Sequence, residues 1–215
     1  GQAINSQGIA VGAWGYSSGP FPLAFRWENG VMQDISVDLL GSASRALDIN
    51  DNGTITGWMG ETSQNAQAFI WENGTMKRLT GLATGYSSPT DIDNMGRVVG
   101  TLGSTSTPRA FRWVAGKVRD LGTLGGPSSI ARALGPEGRI VGSSTRADGS
   151  ERAFLWQNGV MSDLGPGSAW GINGLGHVDG ASQPGAELRV FLWKDGVRSD
   201  ISPGAGRGVN RDGWI

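Results

Sequence analysis

Apolar residues along the chain come in short runs of four to six, separated by turns rich in Gly, Asn, Asp and Ser. The runs are enriched in β-branched and aromatic residues, and the Gly spacing leaves no helical period. In one representative stretch they predict four strands, roughly Ala46–Asn50, Thr54–Met59, Gln67–Trp71 and Thr75–Leu79. Asn73-Gly74, between the last two, is a typical hairpin turn. The pattern therefore predicts an all-β chain.

Two sequence blocks recur along the chain. One reads Ile-Asn-x-x-Gly-x-x-Val-Gly and starts, with variations, at Ile4, Ile49, Ile92, Leu134 and Ile172. The other is Phe-x-Trp, whose five Trp residues are 44, 42, 43 and 37 positions apart. The units cover approximately residues 1–44, 45–88, 89–130, 131–168 and 169–206, with a partial copy at 207–215. Four strands in about 43 residues is the period of a β-propeller blade. We therefore expect a single repeat domain, a β-propeller of five four-stranded antiparallel blades with an extra C-terminal hairpin.

Strand alternation places the Phe and Trp of each Phe-x-Trp block on the same face of its sheet. Blades must bury both faces against their neighbours, because a single blade has no core of its own. The blocks are therefore predicted to form the core between blades. The predicted core residues are Phe25, Trp27, Phe69, Trp71, Phe111, Trp113, Phe154, Trp156, Phe191 and Trp193.

These blocks, with endings such as Val160–Gly165, resemble the bacterial extracellular repeat named for a His-Ala-Phe tripeptide, the HAF repeat. The resemblance covers nearly the whole chain. It implies a repeat architecture and an extracellular or cell-surface location, and it implies no reaction. The His of the tripeptide is absent, so no role of that residue carries over; the positions hold Leu23, Gln67, Arg109, Arg152 and Arg189.

The amino-acid composition excludes several classes of function. Gly supplies 37 of the 215 residues, far above its usual share of about 7%, as expected of a chain with many turns. Eighteen basic and nineteen acidic residues give a net charge of −1, so nucleic acid is not an expected partner. The chain has no Cys, which excludes thiolate catalysis. Apolar runs are also too short for a membrane-spanning helix.

Several local sequence features could indicate a metal site or a catalytic serine. Asp48–Gly53 reads D-x-N-x-N-G, like the first half of a calcium loop, but Met59 stands where a bidentate Glu is expected. A tight turn is the favoured interpretation. The single His, His177, cannot build a zinc site alone. Gly15–Gly19 matches G-x-S-x-G, yet the Pro residues that follow prevent the required helix. We expect no metal, no cofactor and no catalytic residues.

Positions that differ between the copies are the candidates for ligand binding. On the first strand of each copy, the position that follows a small residue differs from copy to copy. It is occupied in turn by Gln2, Leu47, Thr90, Arg132, Trp170 and Arg207. Further aromatic residues lie outside the Phe-x-Trp series. For each Trp among them, the alternative to ligand binding is that the side chain fills the core. Aromatic rings beside Arg suit the apolar face and hydroxyl rim of a sugar. The predicted ligand-binding residues are Trp14, Tyr16, Trp58, Tyr86, Arg132, Trp170, Arg207 and Trp214.

The leading functional hypothesis is a secreted, non-enzymatic module that binds a glycan or another cell-surface polymer. Similar grooves on several blades would add their affinities through avidity. One alternative is a structural protein that forms homo-oligomers through its unpaired terminal hairpin. Another is a polysaccharide hydrolase or lyase that uses Asp48 and Asp91, which share a register in consecutive units.

Overall fold

The computed structural model describes residues 1–15, 21–36, 42–61, 65–81, 85–104, 106–183 and 187–203. Within these residues, twenty strands form five four-stranded antiparallel sheets. Each sheet contains the four strands of one sequence repeat in chain order. The prediction of an all-β protein with five β-propeller-type blades is therefore confirmed. The predicted extra hairpin at 207–215 lies outside the described residues.

The blades are numbered in chain order, and their strands are as follows. Blade 1 contains β1 (Ala3–Ile4), β2 (Ala10–Trp14), β3 (Leu23–Glu28) and β4 (Val31–Asp34). Blade 2 contains β5 (Ala43–Ile49), β6 (Ile55–Gly60), β7 (Gln67–Glu72) and β8 (Thr75–Arg78). Blade 3 contains β9 (Ser87–Ile92), β10 (Val98–Gly103), β11 (Pro108–Val114) and β12 (Lys117–Asp120). Blade 4 contains β13 (Gly125–Leu134), β14 (Ile140–Arg146), β15 (Glu151–Gln157) and β16 (Val160–Pro166). Blade 5 contains β17 (Ser168–Ile172), β18 (Val178–Ser182), β19 (Arg189–Lys194) and β20 (Val197–Pro203).

The turn between the third and fourth strands of each blade has positive φ at two successive residues. In blade 2 these are Asn73, with φ of 50°, and Gly74, with φ of 78°. Two positive φ values match the right-handed twist of the flanking strands, and Asn and Gly adopt them at low cost. The predicted Asn-Gly hairpin is confirmed. Blade 3 makes the same turn with Ala115 at φ of 47°, a conformation that Ala adopts with strain.

The repeated Gly on the second strand leaves room for the Phe of the third strand. In blade 4 a Cβ atom on Gly142 would lie 3.0 Å from the ring of Phe154 and 1.9 Å from the carbonyl oxygen of Ile130. The sheet can close over this point only because Gly has no side chain. The repeat therefore keeps Gly on the second strand and Phe on the third as a packed pair.

Each first strand from blade 2 to blade 5 carries a β-bulge. In blade 2, Ala46 pairs with Gly57 and Asp48 pairs with Thr56, so Leu47 has no partner on the second strand. The same register shift skips one residue of the first strand in each of the other three blades, namely Thr90, Arg132 and Trp170. A bulge redirects a side chain away from the regular alternation of a strand. The four bulge residues are the same positions that vary between sequence copies.

The chain divides into two compact units, Gly1–Thr105 with Arg112–Arg119 and Ser106–Phe111 with Asp120–Ile215. In the first unit, one core cluster joins Val11 of blade 1 to Phe69 and Trp71 of blade 2. In the second unit, another joins Val141 of blade 4 to Phe191 of blade 5. In both clusters the Phe-x-Trp face of a blade packs against the blade before it.

The predicted core is confirmed for most of its members. Four of its Phe side chains are fully buried and two of its Trp side chains are buried; these are Phe69, Phe111, Phe154, Phe191, Trp71 and Trp156. Trp193 is half-buried at the edge of the second core cluster. Trp113 is also half-buried, and its indole N–H donates a hydrogen bond of 3.1 Å to the carbonyl oxygen of Thr80.

The prediction that Trp27 is a core residue is wrong. Its side chain is 40% exposed, and Phe25 on the same face is half-buried. In the two core clusters the Phe-x-Trp face packs against the blade before it, and the described residues of the first unit include no blade before blade 1.

Candidate functional site

Arg132 and Trp170, two of the predicted ligand-binding residues, meet in the second unit. The guanidinium carbon of Arg132 lies 3.8 Å from the centroid of the Trp170 ring. They are the bulge residues of β13 and β17, two strands that lie side by side. At this distance the cation lies over the electron-rich ring face, so the two side chains hold each other in place.

Two cavities flank this stacked pair. The larger has a volume of about 350 Å³ and is lined by Trp170, with Ser168 and Gln183. The smaller, of about 140 Å³, is lined by Arg132 together with several Ser and Thr side chains. Glu151 lines both cavities. We call the two cavities and these residues the Arg–Trp cleft. Together the two cavities present a cation, a carboxylate and an aromatic ring.

Glu151 is held at the cleft from two sides. Its carboxylate accepts a hydrogen bond from the hydroxyl of Ser168, and its carbonyl oxygen accepts one of 3.1 Å from the N–H of Gly167. Gly167 has φ of 102°, and a Cβ atom there would lie 2.1 Å from the carbonyl oxygen of Ala181. Only Gly can occupy position 167, because any side chain there would clash with the backbone. The exposed carboxylate is therefore anchored at the entrance to blade 5.

Arg132 is a half-buried cation with an unused donor. Burial lowers the pKa of Arg132 from its ordinary value, and the negative charge of Glu151 opposes this shift. The guanidinium stays protonated at neutral pH because Arg starts from a very high pKa. Its Nε atom is buried and finds no acceptor among the described residues.

The hydroxyl groups in the smaller cavity already have protein partners. Thr145 Oγ1 accepts a hydrogen bond of 3.1 Å from the N–H of Ser128. The hydroxyl of Ser144 donates a bond of 3.0 Å to the Ser128 carbonyl oxygen and accepts one of 2.9 Å from the N–H of Leu124. These bonds fasten the long strand β13 to β14. The charged groups of Arg132 and Glu151 are thus the main polar features that the cleft presents.

Sequence comparison of the repeats missed Glu151. The signal was available, since the equivalent residue varies between blades: Pro22, Ala66, Pro108, Glu151 and Leu188. Leu188 lines the larger cavity too, so this register position contributes to the cleft from both blades. Neighbouring-blade contacts, which a single repeat does not reveal, decide which variable positions meet.

The other predicted ligand-binding residues do not line this cleft. Trp14, Trp58 and Tyr86 are half-buried residues of the first unit. Leu47 and Thr90 hold the equivalent bulge positions there, so the described part of that unit does not repeat the Arg–Trp pair. Three further candidates, Tyr16, Arg207 and Trp214, lie outside the described residues, as does the hairpin on which the self-assembly hypothesis depends.

Asp48 and Asp91, the candidates for a carboxylate pair, do come together in the first unit. A hydrogen bond joins their carboxyl groups, and Asp48 Oδ2 accepts another of 2.9 Å from the N–H of Ile92. Burial raises the pKa of Asp48, whereas the hydrogen bond from Asp91 opposes the shift. Glycoside hydrolases hold their two carboxyl groups about 5 Å or more apart, with substrate between them. A directly hydrogen-bonded pair does not provide that space.

The calcium-like turn is a contact between blades. The Asp51 carboxylate accepts hydrogen bonds of 3.0 Å from the N–H of Ser6 and from the side-chain amide of Asn94. These bonds lower the pKa of Asp51 to about 2. Both carboxylate oxygens thus join blade 2 to blades 1 and 3, as the turn interpretation requires. Among the described residues, no group of three or more His, Cys, Asp or Glu side chains is placed to hold a metal ion.

Comparison with known proteins supports the fold. No protein-family model and no curated protein sequence matches the chain. TolB from Acinetobacter baumannii aligns with a TM-score of 0.60 at 16% identity, over 95% of this chain and 54% of that one. The chain therefore spans about half the length of that structure. In the part of the chain that is described, no helix has the length and apolar character to cross a membrane.

Two further structures align with lower scores. One is a triple Arg-to-Ala mutant of AofleA from Arthrobotrys oligospora, with a TM-score of 0.47 at 15% identity over 88% of this chain and 66% of that one. The other is an Asn-to-Gln mutant of the Aleuria aurantia lectin in complex with Fucα1-6GlcNAc, with a TM-score of 0.49 at 15% identity over 95% and 77% of the two chains. At such identities, the chain is similar to TolB in fold alone.

Proposed function

We propose that this chain is a non-enzymatic recognition module that binds a glycan in the Arg–Trp cleft. The observation that carries the proposal is the stacking of Arg132 on Trp170 at 3.8 Å, next to a carboxylate shared by two cavities. Among the described residues, these three groups meet only where blades 4 and 5 adjoin. Within the described residues, the equivalent bulges of the first unit lack them.

The chemistry of the cleft suits a sugar ring. A pyranose has an apolar C–H face, which packs on an aromatic ring, and a rim of hydroxyl groups, which need donors and acceptors. Trp170 supplies the ring and is 36% exposed. Arg132 supplies donors and Glu151 supplies an acceptor. The larger cavity, at about 350 Å³, is within the range of ligand pockets.

The extracellular or cell-surface location and membership of the HAF repeat family belong to the same proposal. They rest on the repeated sequence blocks, which the five blades reproduce one for one. A binding module outside the cell would meet polymers of a cell surface. Because one cleft in the described part of the chain combines a cation, a carboxylate and an aromatic ring, we expect one glycan site there rather than a site on every blade.

The experiment is a glycan screen followed by titration of the purified chain. Trp170→Ala removes the stacking surface and is expected to weaken the selected glycan about tenfold or more. Trp27→Ala is the matched control, because Trp27 is similarly exposed on blade 1, at 40% against 36%. It should leave the affinity unchanged. Equal loss in both variants, or no binding by the wild type, would contradict the proposal.

A further inference from the structure

The charges in the Arg–Trp cleft cancel. Among the residues that line the two cavities, Arg132 is the only cation and Glu151 the only anion. The charged residues next to lining residues in the chain are engaged elsewhere, since Arg146 and Arg152 both form ion pairs with Asp163, and Glu187 forms one with Arg189. A site for an acidic ligand would be expected to carry an excess of positive charge.

From this balance we infer that the ligand of the cleft is a neutral sugar that presents two adjacent hydroxyl groups. The inference rests on the proposed function and specifies its ligand class. One hydroxyl donates to the Glu151 carboxylate, and its neighbour accepts from the Arg132 guanidinium. A vicinal diol supplies a donor and an acceptor side by side, which a charge-neutral Arg–Glu pair matches.

An acidic sugar meets two obstacles in this geometry. The Glu151 carboxylate stands in the wall of both cavities and repels a carboxylate or sulfate group. The hydroxyl groups of the smaller cavity are already bonded to the protein, through Ser128, Ser144 and Thr145. They do not form the ring of available donors that binds an anion. Arg132 is therefore the only cationic donor for such a group among the described lining residues.

The hydrogen bond from Ser168 adds a second argument. By donating to Glu151, this hydroxyl fixes the direction of the carboxylate. An oriented carboxylate is an acceptor for a sugar hydroxyl. The remaining ring contacts fall to Trp170, whose stacking surface carries no net charge.

The test compares matched glycans by titration: a neutral hexose oligomer found in the screen, its uronic acid form and its sulfate ester. The wild type is expected to bind the neutral form about tenfold more tightly than either acidic form. Glu151→Gln keeps the shape but loses the charge, so it should weaken the neutral glycan several-fold. Glu187→Gln, a matched change at another exposed Glu, should have no effect.

The outcomes separate the inference from the function. Tighter binding of the acidic forms by the wild type, or an unchanged affinity for the neutral form with Glu151→Gln, would overturn the neutral-sugar inference while a loss with Trp170→Ala kept the function. Binding of none of the glycans would remove both. Salt gives an independent measurement on the wild type alone: affinity for the neutral sugar should change less than about twofold between 50 and 500 mM NaCl, because few ions are displaced. A steep salt dependence would contradict the inference.

Discussion

The side-chain amide of Asn50 donates a hydrogen bond of 2.9 Å to the carbonyl oxygen of Asp93, one repeat further along the chain. Asn5 makes the same bond, of 3.1 Å, to the carbonyl oxygen of Asn50. The Oδ1 atom of Asn50 meanwhile accepts the N–H groups of Asn52 and Thr54 within its own turn. One side chain thus closes a turn and joins two blades. This dual role explains why Asn recurs in the Ile-Asn-x-x-Gly block.

Replacing Asn50 with Asp separates the two roles. The variant keeps the acceptor for the turn but loses the donor to Asp93 and introduces a charge at a side chain that is 5% exposed. We expect a loss of about 1–3 kcal/mol in the free energy of unfolding at pH 7, the usual cost of an unsatisfied buried group. Urea denaturation measures it. Asn73→Gly is the control, because Asn73 is exposed at positive φ, and a loss equal to that of the control would show that the inter-blade bond does not stabilise the fold.

Adding a methyl group at Gly142 should disrupt the bulge that presents Arg132. The Cβ atom would overlap the carbonyl oxygen of Ile130, at 1.9 Å, so the strand pair must separate. We expect Gly142→Ala to cost about 3 kcal/mol or more. Gly174→Ala is the matched control, since no atom lies within 4 Å of a Cβ atom there, and it should change stability by less than about 0.5 kcal/mol. A similar small change for both would show that the first two strands are not closely paired.

The sequence alone predicted the blades but placed their edges less well. For blade 2 the first strand was expected at Ala46–Asn50 and lies at Ala43–Ile49, whereas the third was expected at Gln67–Trp71 and lies at Gln67–Glu72. Hairpin turns end a strand by local chemistry, so the third strand was predictable. The first strand follows a loop, and its start depends on pairing with the second strand, which is a non-local property.

The candidate site was predictable in part for the same reason. Variation between repeats selected Arg132 and Trp170, but their contact depends on the bulges and on neighbouring blades. Glu151 varies as well, yet only its contact with Ser168 of the next blade marks it as part of a site. Trp27 shows the opposite failure, since the sequence predicts a core residue that is in fact exposed. Its Phe-x-Trp block is of the same type as the blocks whose Trp is buried. A repeat pattern does not show how deeply each copy of a residue is buried.

Two Trp residues from the same block should therefore differ in their contribution to stability. Trp156 is 2% exposed, and its truncation to Ala is expected to cost about 3–5 kcal/mol. Trp27 is 40% exposed, and Trp27→Ala should cost less than about 1 kcal/mol. Chemical denaturation of both variants at one protein concentration tests the difference. Equal losses would mean that the Trp27 face is covered in solution.

Ala115 offers a stabilising substitution. Its φ of 47° lies in the left-handed region, at a place where blade 2 has Asn73 at 50°. We expect Ala115→Asn to gain about 0.5–1 kcal/mol, because Asn adopts this conformation with less strain. The reverse change, Asn73→Ala, should lose a similar amount. Thermal unfolding of the two variants measures both shifts, and a change of the same sign in both would contradict the turn assignment.

The buried Asp48 should make stability fall as pH rises. Burial raises the pKa of Asp48 in the folded protein above its unfolded value of about 3.9, so the folded state binds more protons in this interval. Stability from the protonated carboxyl is present below the unfolded pKa and is lost as pH rises through the folded pKa. Asp48→Asn removes this loss, since the amide still accepts from Ile92 and donates to Asp91. The variant should thus gain stability relative to the wild type between pH 4 and pH 7.

Asp148 provides a control with the opposite sign. Hydrogen bonds from Ser150 lower the pKa of Asp148, so its contribution is present above the unfolded pKa and is lost as pH falls through the folded pKa. Asp148→Asn should therefore lose stability relative to the wild type as pH rises from 3 to 7, where Asp48→Asn gains it. Urea denaturation at four pH values gives both profiles. Parallel profiles for the two variants would show that the Asp48 carboxyl is ionised in the fold, which would contradict its raised pKa.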